Sequence, residues 1–413
     1  MVTEGQVIAV TVIGSVTGSM STFGSIAIIA MLLRSEKKLR STYRRLLFCM
    51  SVADIIFSTS IVCASFPSPK DTPGVWSPMG NTFTCALQGL ALYSGNIGLT
   101  FYNCSLCLYF FLSIAKNVQR EQMIKIERFF HAIPILWILS TDSFLLATES
   151  FNNFGVVCMV SSYPRGCDSN NEVECTRGFN STLYRLILHL LPIILVFFII
   201  SAAMITLCIS LRAQEQKMET YRANLGTLPE SLVAIRRERS LLNTQSSLER
   251  GNMPKIKRRE SIGDRLRRDA YKQAMCHIFA YFISYVFAMI FQGIVSFTGE
   301  INFPFWILQQ LTAPTQGFFN FIVFLRPRVI AVRSNNPDLS LFPAILRTIK
   351  NNEEYVDPSR TFQSYRQHTC RSPRRESRRY TAREWHLLKK DNEEKLVMEM
   401  QKLEEEPFRH FET

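Results

Sequence analysis

The chain has 413 residues, is 47% hydrophobic and carries a formal net charge of +13, with 31 Phe and 11 Cys. The apolar residues fall into long uncharged blocks, each near the roughly 20 residues a helix needs to cross bilayer hydrocarbon, so a single soluble core is not the expected outcome. The basic excess lies between and after those blocks without interleaved stacking aromatics. This argues against nucleic acid and for contact with anionic lipid, at about 1 kcal/mol per basic residue.

Seven blocks read as spans of an all-α transmembrane bundle: 6–33, 44–66, 83–115, 129–149, 183–211, 270–297 and 304–325. The first contains "GSVTG", whose Gly14 and Gly18 permit close helix contact. No basic stretch precedes a short apolar core, so a cleaved signal peptide is not expected. The second, "LFCMSVADIIFSTSIVCASF", holds one carboxylate, Asp54. An ionisable group inside a span is costly and usually faces the bundle interior. Ser51 and Ser58, three residues before and four after, make that face polar. Asn320 of the seventh block, or Ser/Thr groups and water on the third, are the expected partners. Asp54 reads either as a hydrogen-bonded pin or as a charge that changes state during signalling. The third block repeats the theme with Asn96, Thr100 and Asn103 on one face, placed to bond neighbouring helices. The fourth is the least apolar, the fifth has Pro192 as an expected kink, and only "TGEINF" separates the sixth from the seventh.

Lys and Arg set the orientation. The segments 34–45, 116–128 and 212–268 carry 6, 4 and 14 of them, against one, two and none in 67–82, 150–182 and 298–303. Basic loops stay cytoplasmic. The N-terminus is therefore expected outside and the C-terminus inside, as in a multi-pass protein of the plasma membrane. Residues 1–333 form the expected membrane domain. The third cytoplasmic loop, 212–268, and the tail, 334–413, are charge-rich and expected to be largely disordered. Within the tail, 338–349 is amphipathic enough to lie on the membrane, and 383–406 has helical spacing. "RRES" occurs twice, ending at Ser261 and Ser377, and suits a basophilic kinase.

Cys85 opens the third block, and Cys158, Cys167 and Cys175 lie in the loop 150–182. On the oxidising side Cys85–Cys158 is the first choice for a disulfide, leaving Cys167–Cys175 to close a small loop; free thiols are the other reading. "NST" at Asn180 is a glycosylation acceptor on the matching side, though close to the fifth span. "NCS" at Asn103 lies inside a span.

The second block's "S-x-A-D", the loop "NNFGVVCMV" and the seventh block's "P-x-x-G-x-x-N", carried by Pro314, Gly317 and Asn320, resemble G-protein-coupled receptors. The likeness is to the cyclic-AMP-receptor-like and secretin-like (family 2) groups, over about residues 6–333. It implies a bundle that binds an outside ligand and activates a heterotrimeric G protein, with kinase and arrestin-like regulators, a structural Cys85–Cys158 bond and Asn320 in an inter-helix polar network. Rhodopsin-like signatures are absent: the third block ends "FLSIAKN" and the seventh reads "NFIVF". The short outer N-terminus leaves the ligand to meet bundle and loops directly, which favours a small one.

Arg185, His189, Gln292, Trp306, Gln309 and Gln310 sit in the outer halves of the last three blocks and are the ligand candidates. Trp306 could instead anchor at the interface, and Arg185 could snorkel to head groups. Among other classes, a retinal protein needs a lysine in the last span, and 304–325 has none. His131, His189 and His277 lie on different helices, so a zinc hydrolase is not expected; neither a metal nor another cofactor is. A small-molecule transporter is the alternative function, but no internal repeat is visible.

Overall fold

A computed structural model describes residues 3–35, 38–70, 72–116, 118–168, 173–226, 262–298 and 301–351. Helices α1 (Glu4–Arg34), α2 (Thr42–Val62), α3 (Thr82–Ile114) and α4 (Arg120–Ala147) come first. Polar caps start three of them. Thr3 and Gln6 form a capping box on α1, Ser41 caps α2, and Asn81 pairs reciprocally with Thr84 on α3. A hairpin follows, β1 (Phe151–Asn153) antiparallel to β2 (Cys158–Val160). Next are α5 (Ser181–Tyr184), a π-helical segment Arg185–Leu190, α6 (Leu191–Gly226) and α7 (Ile262–Thr298). The seventh traverse is α8 (Phe303–Thr312), a 3-10 turn Ala313–Thr315 and α9 (Gln316–Asn335); α10 (Leu341–Asn351) ends the described chain.

Six described helices are long and apolar enough to cross a membrane by length and composition. The seventh traverse, expected as one span, is instead interrupted at Pro314. Proline lacks an amide hydrogen, so the carbonyl four residues earlier loses its helical partner. That carbonyl is Gln310 O, and the Thr17 hydroxyl of α1 donates to it at 2.8 Å. The fifth traverse behaves alike. Pro192 frees Leu188 O, which accepts from the Tyr93 hydroxyl at 2.8 Å. The expected kink at Pro192 is a π-helical segment just before it, where Leu191 N–H reaches back to Leu186 O. In hydrocarbon such orphaned carbonyls have no water to turn to, so a neighbouring hydroxyl is the available partner.

The expected disorder of 212–268 gives way at both ends: α6 continues to Gly226 and α7 begins at Ile262. Residues 227–261 and 352–413 lie outside the described residues, and with them Ser261, Ser377 and the segment 383–406.

Large apolar side chains face outward on several spans, among them Phe23, Phe129, Leu136, Phe198 and Phe297. Polar residues are buried inside, among them Ser21, Asp54, Thr100 and Asn320, as suits a bundle whose helices are joined by hydrogen bonds in lipid. Glycines bring helices together. A Cβ on Gly18 would lie 2.9 Å from Ser58 O, and one on Gly24 would lie 2.9 Å from Gly317 O. At the end of the bundle away from the hairpin, Glu127 of α4 ties down α2. It accepts from Arg45, from Thr42 Oγ1 at 2.8 Å, and has His131 Nε2 at 3.6 Å.

Candidate functional site: a cavity beneath the hairpin

The hairpin closes one end of the bundle. Cys158 is disulfide-bonded to Cys85, and Cys167 to Cys175. Gln88 of α3 adds a second tether. Its Oε1 accepts from the Cys158 amide at 3.0 Å, and its Nε2 donates to Ser60 O and Ala64 O at the end of α2. Sequence reasoning passed over Gln88, which looks like any polar residue near a helix start.

Under the hairpin lies a cavity of about 840 Å³, mouth included. Phe154, Val156, Val157 and Met159 of the hairpin roof it. Its walls include Phe57, Ile61, Leu92, Ile193 and Met289, all apolar. Polar groups enter at few points: Asn96, His189, Tyr285, Gln292, Gln309 and Gln310. Of the six ligand candidates, His189, Gln292, Trp306, Gln309 and Gln310 line this cavity, whereas Arg185 does not. Trp306 is buried and stacks on Phe291, with ring centroids 6.2 Å apart, instead of standing at a lipid interface. Arg185 is 6% exposed, so it does not snorkel outward.

Asn96 links three elements at the cavity floor. Its Nδ2 lies 2.9 Å from His189 Nε2, and its Oδ1 accepts from the Tyr285 hydroxyl at 3.0 Å. Three buried atoms at the cavity have no hydrogen-bond partner among the described residues: His189 Nδ1, Gln292 Oε1 and Gln309 Oε1. Unpaired buried polar atoms are uncommon, and each leaves about 1–3 kcal/mol of desolvation uncompensated. A ligand that supplied partners would recover it.

Deeper in the bundle, Asp54 is 1% exposed. Its expected partners are replaced by serines of α1. Ser25 Oγ donates to Oδ2 at 2.8 Å, and Ser21 Oγ lies 3.0 Å from the same oxygen. Ser21 Oγ in turn accepts from the Gly317 amide at 2.7 Å. Asn320 instead places Nδ2 3.9 Å from Met50 Sδ. Asn103 bonds its own helix, through Leu99 O at 2.8 Å, and not a neighbour as expected. Gly317 is required at this crossing, because a Cβ there would sit 2.0 Å from Asp54 Oδ2. Pro314 lines the cavity while Gly317 touches Asp54, so one turn of the seventh traverse joins the two sites. Asn180 is exposed, in left-handed conformation ahead of α5. Among the described residues, no three of His, Cys, Asp and Glu come together as a metal site would need.

No family model and no curated protein matches this chain in sequence. Among solved structures, squid rhodopsin superposes with a TM-score of 0.54 at 11% identity, covering 88% of this chain and 92% of that one. The class is therefore a helical membrane bundle with the fold of a G-protein-coupled receptor. At that identity the likeness defines the fold alone, and the chain is an integral membrane protein of this fold.

Proposed function

We propose that the protein is a G-protein-coupled receptor that binds a small ligand in the cavity beneath the hairpin and passes the signal to a heterotrimeric G protein at the opposite end. The observation that carries this reading is the cavity itself, mostly apolar with His189, Gln292 and Gln309 each presenting an unpartnered atom. A concave site with a few convergent polar groups suits a small molecule. The basic-loop count supports an external hairpin end and a cytoplasmic C-terminus at the plasma membrane. The seventh-traverse motif Pro314, Gly317 and Asn320 and the loop around Cys158 favour the cyclic-AMP-receptor-like or secretin-like groups. Receptors of this fold are generally not enzymes. Residues 1–333 form the receptor domain in this reading, and the basic loop and tail provide the surface for lipid, kinase and arrestin-like regulators at Ser261 and Ser377.

The test is nucleotide exchange. The purified chain, reconstituted with G protein, is screened against cyclic nucleotides and other small metabolites. Exchange should rise with an active compound, and Gln292→Ala should weaken that response. Ligand-dependent uptake into proteoliposomes lacking G protein, with no effect on exchange, would replace the receptor reading by the transporter.

A further inference from the structure

Two arginines meet one aromatic ring at the edge of the cavity. The Arg185 guanidinium carbon lies 4.7 Å from the centroid of Phe154, and that of Arg165 lies 4.8 Å from it. Phe154 is a roof residue of the cavity, so the ring separates the arginine pair from the ligand space. Arg185 is 6% exposed, and its Nε has no hydrogen-bond partner among the described residues. Arg165 is exposed. Among the described residues, the carboxylate that acts on Arg185 is Asp168, which is already committed. It accepts from Ser162 Oγ at 2.8 Å, Ser181 Oγ at 3.0 Å and the Thr182 amide at 2.8 Å, anchoring the start of α5. Among the described residues, two cations thus face one occupied anion. A buried guanidinium without a bidentate partner is poorly compensated.

The chain is built for this arrangement. The π-helical segment turns both Arg185 and His189 inward, a use to which such segments are often put. Gly155 has φ of +109°, and a Cβ there would stand 3.5 Å from an Arg165 guanidinium nitrogen. Glycine at this point allows the hairpin turn to form beneath the Arg165 side chain.

We infer that the ligand is a small organic anion, its carboxylate or phosphate held by Arg165 and Arg185 beside Phe154 while its body fills the apolar cavity. Arg165 makes first contact at the mouth. Movement of the Phe154 ring then brings the anion to Arg185. The inference rests on the cavity being the ligand site.

The test uses the full chain in phosphatidylcholine nanodiscs and a library of small aryl and alkyl carboxylates and phosphates, each matched to its neutral amide or alcohol. Binding is read by thermal shift and then by titration. Anions should dominate the binders. Arg185→Gln should weaken them about 10- to 100-fold, as loss of a charge-assisted bond does. Arg185→Lys should restore part of that affinity, and Arg165→Gln should weaken binding less. Should Arg185→Gln fail to fold, Arg165→Gln and Arg185→Lys still decide the matter through the anion-over-neutral preference. Compounds dosed from water and from preloaded vesicles distinguish a soluble anion from a bilayer-borne one. Neutral members binding as well as their anions, with Gln292→Ala weakening both, would overturn the anion while leaving the cavity reading intact. Absence of any binder to the wild type would overturn both.

Discussion

Asp54 and Gly317 meet at the crossing of α1, α2 and α9. The carboxylate is held by Ser21 and Ser25, and the glycine's missing Cβ is what makes room for it. Gly317→Ala would press a methyl group onto Asp54 Oδ2 and Ser25 Oγ, at 2.0 and 2.5 Å. The expected loss is on the order of 1–3 kcal/mol, seen as a lower Tm of the purified protein. An unchanged Tm would mean the helices part without cost. Asp54→Asn keeps the volume but cannot accept from both hydroxyls in the same way. It is expected to change G-protein nucleotide exchange while surface expression is retained; collapse of expression would leave Asp54 as a structural pin. The partner of Asp54 was not legible in the sequence. The polar face of its helix pointed inward as Ser51 and Ser58 implied, but Ser21 and Ser25 are ordinary residues of an apolar block until the helix rotation is known.

At the scale of elements, proline and hydroxyl form pairs. Pro192 frees Leu188 O for Tyr93, and Pro314 frees Gln310 O for Thr17. Both prolines are visible in the sequence; the hydroxyls that answer them lie on other helices and are not. Tyr93→Phe and Thr17→Val should each destabilise by about 1 kcal/mol, the modest figure for interhelical bonds in membranes. Thermal unfolding checks this. The segment around Asp168 responds to acid. Burial pushes its carboxyl up, but the Thr182 amide and the hydroxyls of Ser162, Thr182 and Ser181 outweigh this and hold it below the ordinary value. A carboxylate whose folded value is depressed stabilises above its unfolded value of about 3.9 and loses that contribution as pH falls through the folded one. The loop should therefore stay closed at pH 5 and loosen below about pH 4. Reduction of Cys167–Cys175 by an acid-tolerant phosphine should accelerate there, and Asp168→Asn should be faster already at neutral pH.

The described residues form a bundle that turns large apolar side chains outward and whose two ends differ. One end carries the disulfide-tethered hairpin over the cavity. The other carries the Glu127 cluster, with the helical extensions of α6 and α7 beyond the spans. The proposed orientation predicts that, in intact cells, antibody reaches an N-terminal tag but not a C-terminal one until the membrane is permeabilised. The reverse result would invert the assignment of ligand and G-protein ends.

The first six spans, their order and the inward turn of Asp54 follow from hydropathy and charge, which are properties of neighbouring residues along the chain. They could be read before any coordinates. So could the placement of five of the six ligand candidates beside the cavity, because depth along a helix follows from counting. The rest depended on rotation and approach between helices: the serines around Asp54, the hydroxyls beneath the two prolines, the hold of Gln88 on the hairpin, and the meeting of Arg165 and Arg185 at Phe154. Those contacts join residues far apart in the chain, and only packing brings them within hydrogen-bond or ring-contact distance.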